Sequence, residues 1–155
     1  MYTVLFVCSG NTCRSPMAQL ILLRKIKDAN LSERVRVLSA GLNALKGDEM
    51  AAAARAAMRK RGIAAGGFSA RAVDEKTVGR SDIILTMTLA QLRALTASFP
   101  AARGKAYTLG NFCGGGDVPD PFGGDEKEYE ACAARLEDML GRAMAKISGL
   151  SGDTE

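Results

Sequence analysis

Residues 3–7 (TVLFV) form an unbroken apolar run rich in β-branched side chains, and it passes without a spacer into Cys8-Ser9-Gly10-Asn11-Thr12-Cys13-Arg14-Ser15-Pro16. Such a run reads as a strand buried on both faces, which requires helices packed above and below it. Ser15-Pro16 then opens a helix, with proline at a first-turn position where its missing N–H is tolerated. That helix carries Ala18, Leu22 and Ile26 on one stripe and is expected to end near Asn30.

The same alternation continues along the chain. Residues 35–39 read as a second strand, stopped by Ala40-Gly41, and an Ala-rich helix follows over residues 48–61, ending at Gly62 in the C-terminal glycine position. Residues 64–80 are looser and hold one short helix. Residues 82–87 (DIILTM) give a third buried strand, residues 89–98 a helix closed before Pro100, and residues 105–109 a short fourth strand. Residues 110–125, rich in Gly, Pro and Asp, read as irregular. A final amphipathic helix spans residues 126–147, with a frayed end from Ser148. Strands alternating with helices predict an α/β fold, a parallel, doubly wound sheet, in one domain over residues 1–150 with residues 151–155 as a tail. In such folds ligands sit beyond the C-terminal ends of the strands. That rule points to the loop after strand one and to the irregular segment after strand four.

Several functional classes fall away on composition. A net charge of +4 suits an anionic ligand, yet no basic cluster interleaved with aromatics suggests nucleic acid. The basic run Arg55, Arg59, Lys60 and Arg61 fits the solvated face and C-terminus of a helix. No stretch approaches the roughly 18 apolar residues of a membrane helix, and the opening strand lacks a basic leader, so a cytoplasmic protein is expected. The chain has no histidine, which removes Cys-His and Ser-His catalytic pairs. Cys8, Cys13, Cys113 and Cys132 lack the paired spacing of a zinc site and read as reduced thiols, so no metal and no cofactor is expected.

The loop after strand one carries the chemistry. Wrapped back into a helix N-terminus, it aims successive N–H groups at one centre and forms an anion nest, with Gly10 allowing tight curvature. The same partial positive charge favours a thiolate at Cys8. Arg14, separated from Cys8 by five residues, offers a planar fork for two phosphate oxygens, and Ser15 is placed to donate to the sulfur. A phosphocysteine route also needs an acid, and Asp117, Asp120 and Asp125 are the candidates. Asp125 is explained as the cap of the final helix, whereas prolines on both sides present Asp120 rigidly, so Asp120 is assigned that role. Two roles stay open for Cys13: a small hydrophobe packed under the loop, or a thiol that captures an oxidised Cys8 as a reversible disulfide.

CSGNTCRSPMA at residues 8–18, SAG at 39–41 and DPFGG at 120–124 together resemble the low-molecular-weight protein-tyrosine phosphatases, in the right order over essentially the whole chain. The resemblance implies a four-stranded parallel sheet flanked by helices and metal-independent hydrolysis of phosphoproteins through a phosphocysteine, with inorganic phosphate as product. It implies Cys8 as nucleophile, Arg14 as phosphate clamp and Asp120 as acid and then base. Ser9, Gly10, Asn11, Thr12, Cys13, Ser15 and Ser39 become the phosphate-binding loop and its support. Two positions depart from the family, Phe68 where histidine is usual and Gln19 where glutamate is common. Thr12, together with Phe122 followed by two glycines, resembles the protein-arginine phosphatase branch.

Two rival classes share the scaffold. Thiol-dependent arsenate reductases need two further cysteines close together, whereas Cys113 and Cys132 are far apart in sequence. A non-catalytic phosphate-binding module would have no need to keep Cys8, Arg14 and Asp120 together.

Overall fold

The computed structural model describes residues 1–152. Its elements, in chain order, are β1 (Tyr2–Cys8), α1 (Arg14–Asp28), β2 (Val35–Gly41), α2 (Ala52–Lys60), α3 (Glu75–Arg80), β3 (Ile83–Thr86), α4 (Leu89–Ser98), β4 (Ala106–Thr108), α5 (Leu109–Cys113) and α6 (Glu126–Gly152), with a 3-10 turn at Pro100–Ala102. The four strands form one sheet in the order β2-β1-β3-β4, and every pairing is parallel.

The central position of β1 explains its sequence. All seven of its residues are buried, so both faces are apolar and no alternation appears. Val4 and Phe6 join a core with Met17, Ile21 and Leu22 of α1, Met58 of α2, and Leu136 and Leu140 of α6. Leu5 and Val7 point the other way, into a smaller cluster with Val78 of α3 and Leu95 of α4. Each such side chain, fully buried, stabilises the fold by about 1.5–3 kcal/mol. The sheet is therefore covered on both faces, as a doubly wound fold requires.

Four boundaries differ from those expected. β2 does not stop at Ser39 but runs to Gly41, which pairs with Cys8 in register and bridges to Ala72. α2 begins at Ala52, four residues late, because the chain before it braces the loop after β1: Asn43 N–H donates to the Ser9 carbonyl and Ala51 N–H to the Thr12 carbonyl. The stretch expected to be irregular opens with α5, capped by the Thr108 hydroxyl accepting from Asn111 N–H. α6 continues past Ile147 to Gly152, with Ile147 and Ser151 both buried. The remaining tail positions, 153–155, lie outside the described residues.

Gly114, Gly115 and Gly116 all have positive φ (84°, 110° and 71°), a succession that other residues rarely accept. This turn is stitched to α6. Arg135 donates to the carbonyls of Gly115 and Asp117, Arg142 to those of Cys113 and Gly114, and Lys146 to that of Phe112. Among the described residues no helix is long and apolar enough to cross a membrane.

Candidate active site

The chain from Cys8 to Arg14 turns at the C-terminal end of the central strand, and every element around it supplies a brace. Cys8 itself is 3% exposed. The carbonyls of Cys8, Ser9 and Thr12 point outward and accept from Leu42, Asn43 and Ala51 N–H. Among the described residues, the N–H groups of Ser9 to Thr12 donate to no other backbone carbonyl. Acceptors tied outside and donors left free are what an anion nest requires. Gly41 makes the close packing possible, since a Cβ there would stand 2.6 Å from the Ser9 carbonyl oxygen and 2.8 Å from Asn11 N.

Asn11 organises the interior. It adopts φ +55°, a left-handed conformation that asparagine tolerates better than most residues. Its Oδ1 accepts from Arg71 N–H at 3.0 Å, which fixes the amide orientation and turns the NH2 group inward. Those two hydrogens go to Ser15 Oγ (2.9 Å) and Ser39 Oγ (3.0 Å). With Asn11 donating to it, the Ser15 hydroxyl keeps its own hydrogen for Cys8 Sγ, 2.9 Å away. Ser39 donates in turn to Gln19 Oε1 (2.6 Å), and Gln19 Nε2 to the Val37 carbonyl. Gln19 therefore closes the network as a good acceptor. Phe68, the other departure, packs half-buried against the core and makes no hydrogen bond there.

Arg14 is buried, and its fork faces the segment after α5. One nitrogen donates to the Val118 carbonyl at 3.0 Å and the other lies 3.4 Å from Asp120 Oδ2. Two of its five N–H donors are thus engaged, leaving others for an oxyanion. Asp120 has a side chain 50% exposed, and its second oxygen accepts from Phe122 N–H. A cleft of about 140 Å³ is lined by Cys8, Ser9, Gly10, Thr12, Cys13, Arg14, Asp120 and Phe122. The three candidate acids separate cleanly. Asp117 accepts from Leu89 N–H, Asp125 caps α6 through Glu128 N–H, and Asp120 alone of the three lines the cleft.

Cys13 lies beneath the loop, its sulfur 3.5 Å from the Tyr129 hydroxyl, and burial pushes its thiol pKa up. Cys132 on α6 is likewise raised by burial, to about 11. All four cysteines are free thiols. Among the described residues no His, Cys, Asp and Glu side chains gather into a metal-binding group.

One residue escaped the sequence reading. Gln91, 6% exposed, accepts from Met87 and Thr88 N–H through Oε1, while its Nε2 donates to Ser9 Oγ at 3.1 Å. It ties the phosphate-type loop to the start of α4. The signal was present as Thr88-x-x-Gln91, a capping box, and both halves of that box form.

A protein-family model described as low molecular weight phosphotyrosine protein phosphatase matches residues 3–149. This chain belongs to that family. The phosphatase is 36% identical over 148 residues to a protein-arginine-phosphatase of Geobacillus stearothermophilus, covering 94% of this chain and 96% of that one. It is 34% identical to a probable low molecular weight protein-tyrosine-phosphatase, EpsP, of Ralstonia solanacearum, covering 96% and 97%. A solved YwlE arginine phosphatase mutant with a phosphorylated active site serine superposes with a TM-score of 0.87 at 33% identity, over 93% of each chain. The phosphatase is thus a cysteine-dependent enzyme acting on phosphorylated proteins, on a four-stranded parallel α/β scaffold.

Proposed function

We propose that this phosphatase hydrolyses phosphoarginine in proteins, with Cys8 as nucleophile, Arg14 as clamp and Asp120 as acid and base. The Cys8 thiolate attacks phosphorus in line with the leaving nitrogen. Arg14 and the free N–H groups of the loop hold the equatorial oxygens as charge spreads over them. Asp120 gives its proton to the departing guanidine as the P–N bond breaks. It then takes a proton from the water that attacks phosphocysteine, releasing inorganic phosphate. Ser15 donates to Cys8 sulfur when it leaves as a thiolate, and the Asn11–Ser39–Gln19 chain keeps Ser15 turned that way.

The observation that carries the substrate reading is Thr12, whose residue lines the cleft beside Cys8 with Phe122 as the facing aromatic wall. A hydroxyl there can orient a polar guanidine, and one ring can stack on its plane. The arginine-phosphatase names of close relatives support the same reading. We place the enzyme in the cytoplasm, acting without cofactor, nucleic acid or membrane, a setting that suits four free thiols.

The test is phosphate release from two matched peptides, one bearing phosphoarginine and one phosphotyrosine. A preference of about a hundredfold for phosphoarginine, ~2.7 kcal/mol in the barrier, is expected. Replacing Thr12 by isoleucine should erode it. A preference for phosphotyrosine would overturn the substrate reading and leave the Cys8 route standing.

A further inference from the structure

A second cavity, of about 400 Å³, opens between α2 and the segment of residues 63–68. Its lining sets the apolar side chains of Met50, Ile63 and Phe68 beside the charged ends of Glu49, Arg55 and Arg59. Small-molecule sites have volumes of about 300–1,000 Å³ and combine an apolar wall with a few polar anchors, as this one does.

The two arginines are the unusual feature. Arg55 and Arg59 stand one turn apart on α2, where like charges repel. Among the described residues, neither side chain forms an ion pair or a hydrogen bond, and Arg55 Nε is buried with no partner at all. Their neighbour Arg61 differs, donating to the Ala57 carbonyl and to Glu130. Two cations on one wall of the cavity, one with a buried unfilled donor, describe a place for a negative charge. The reading of this run as a solvated helix face therefore fits exposed Arg59 and Lys60 but not Arg55, which is half-buried.

We propose that this cavity binds a small organic anion, a single carboxylate, sulfonate or phosphate carried on an apolar body, at a site separate from the phosphate loop. The body lies on Met50, Ile63 and Phe68, and the anion bridges Arg55 and Arg59. Glu49, exposed at the rim, opposes a second negative charge. The far wall is small, since a Cβ on Gly66 or Gly67 would meet nothing within 4 Å, so the mouth is open. Phe68 also lines a neighbouring cavity with Gln19 and Ser39, which places an occupant one side chain away from the network under Cys8. The inference does not depend on which phosphorylated residue the enzyme hydrolyses.

The probe is 8-anilinonaphthalene-1-sulfonate, an aromatic body with one anionic group, titrated by fluorescence into the intact protein with inorganic phosphate saturating the loop. Saturable binding to one site is expected, with phosphate failing to displace the dye. Arg55→Gln and Arg59→Gln should each weaken it about tenfold, ~1.4 kcal/mol apiece. Glu49→Gln should tighten it, and Arg55→Lys with Arg59→Lys should retain much of it. Melting temperatures and basal phosphatase activity of these variants should match the parent, which separates lost binding from lost folding. Unchanged affinity in the double glutamine variant, displacement by phosphate, or unsaturable binding to the parent would each overturn the proposal.

Discussion

The loop of residues 8–15 and the segment of residues 117–125 meet over one cleft but are held in different ways. In the first, Cys8, Asn11, Cys13, Arg14 and Ser15 are all buried, and Cys8, Asn11 and Ser15 are tied to one another and to Ser39 of β2. In the second, Asp117, Asp120 and Phe122 are exposed, and among the described residues Asp120 is held only by Phe122 N–H and Arg14. A nucleophile and an oxyanion cradle gain from rigidity, because a misplacement of about 1 Å is costly to catalysis. A proton donor must reach leaving groups of differing shape, which suits a lightly tethered carboxylate. Under the proposed mechanism, the contrast separates placing charge from delivering a proton.

The strongest way to break that division is at Cys8. Cys8→Ser should lower kcat by at least about 10⁴-fold while phosphate affinity stays within about threefold, since the cradle is untouched. Substantial turnover would remove Cys8 as nucleophile. Next, Asp120→Asn should cost about 10²–10³-fold on a phosphopeptide but much less on p-nitrophenyl phosphate, whose leaving group needs no proton. Equal losses on both substrates would recast Asp120 as a mere support for Arg14. Asn11→Ala removes two buried hydrogen bonds and one part-buried one, and should lower unfolding free energy by about 2–4 kcal/mol in urea titrations, weakening phosphate binding too. Asp117→Ala, on the looser segment, should cost about 1 kcal/mol or less.

A pH-dependent effect concerns the seam where α6 passes beneath both regions. Burial raises Cys13 and takes Cys132 to about 11 from an ordinary 9.0, so the folded chain keeps protons that the unfolded chain releases. Stability should be complete below about pH 9 and fall as pH rises towards 11, by the order of 1–2 kcal/mol. Urea midpoints compared across that window check the sign. A flat profile would mean that water reaches the seam.

Much of this was legible in the chain. The cradle lies within one continuous stretch, residues 8–15, so strand, turn and helix signals fell together and named Cys8, Arg14 and Ser15. Asp120 was legible because prolines on either side left it without a capping role. What stayed hidden is long-range. Gln91 reaches Ser9 from another strand–helix junction, and the Val118 carbonyl reaches Arg14 from beyond β4, contacts that no local pattern encodes. α5 was masked by the glycines that follow it, whose strong turn signal outweighed the Thr108 cap. The role of Gln19 arises only in the folded chain, where its carbonyl receives the Ser39 hydroxyl from β2.

The stitching of residues 112–117 to α6 also fixes an order of events. On the ribosome Cys8 and its turn emerge early, whereas Arg135, Arg142 and Lys146 are made long after the segment whose carbonyls they hold. Until that helix docks against α1 and the sheet, the nascent chain carries the Cys8 thiol with Asp120 not yet set opposite it. Newly made protein should therefore stay silent towards its substrates until α6 has been made and has docked.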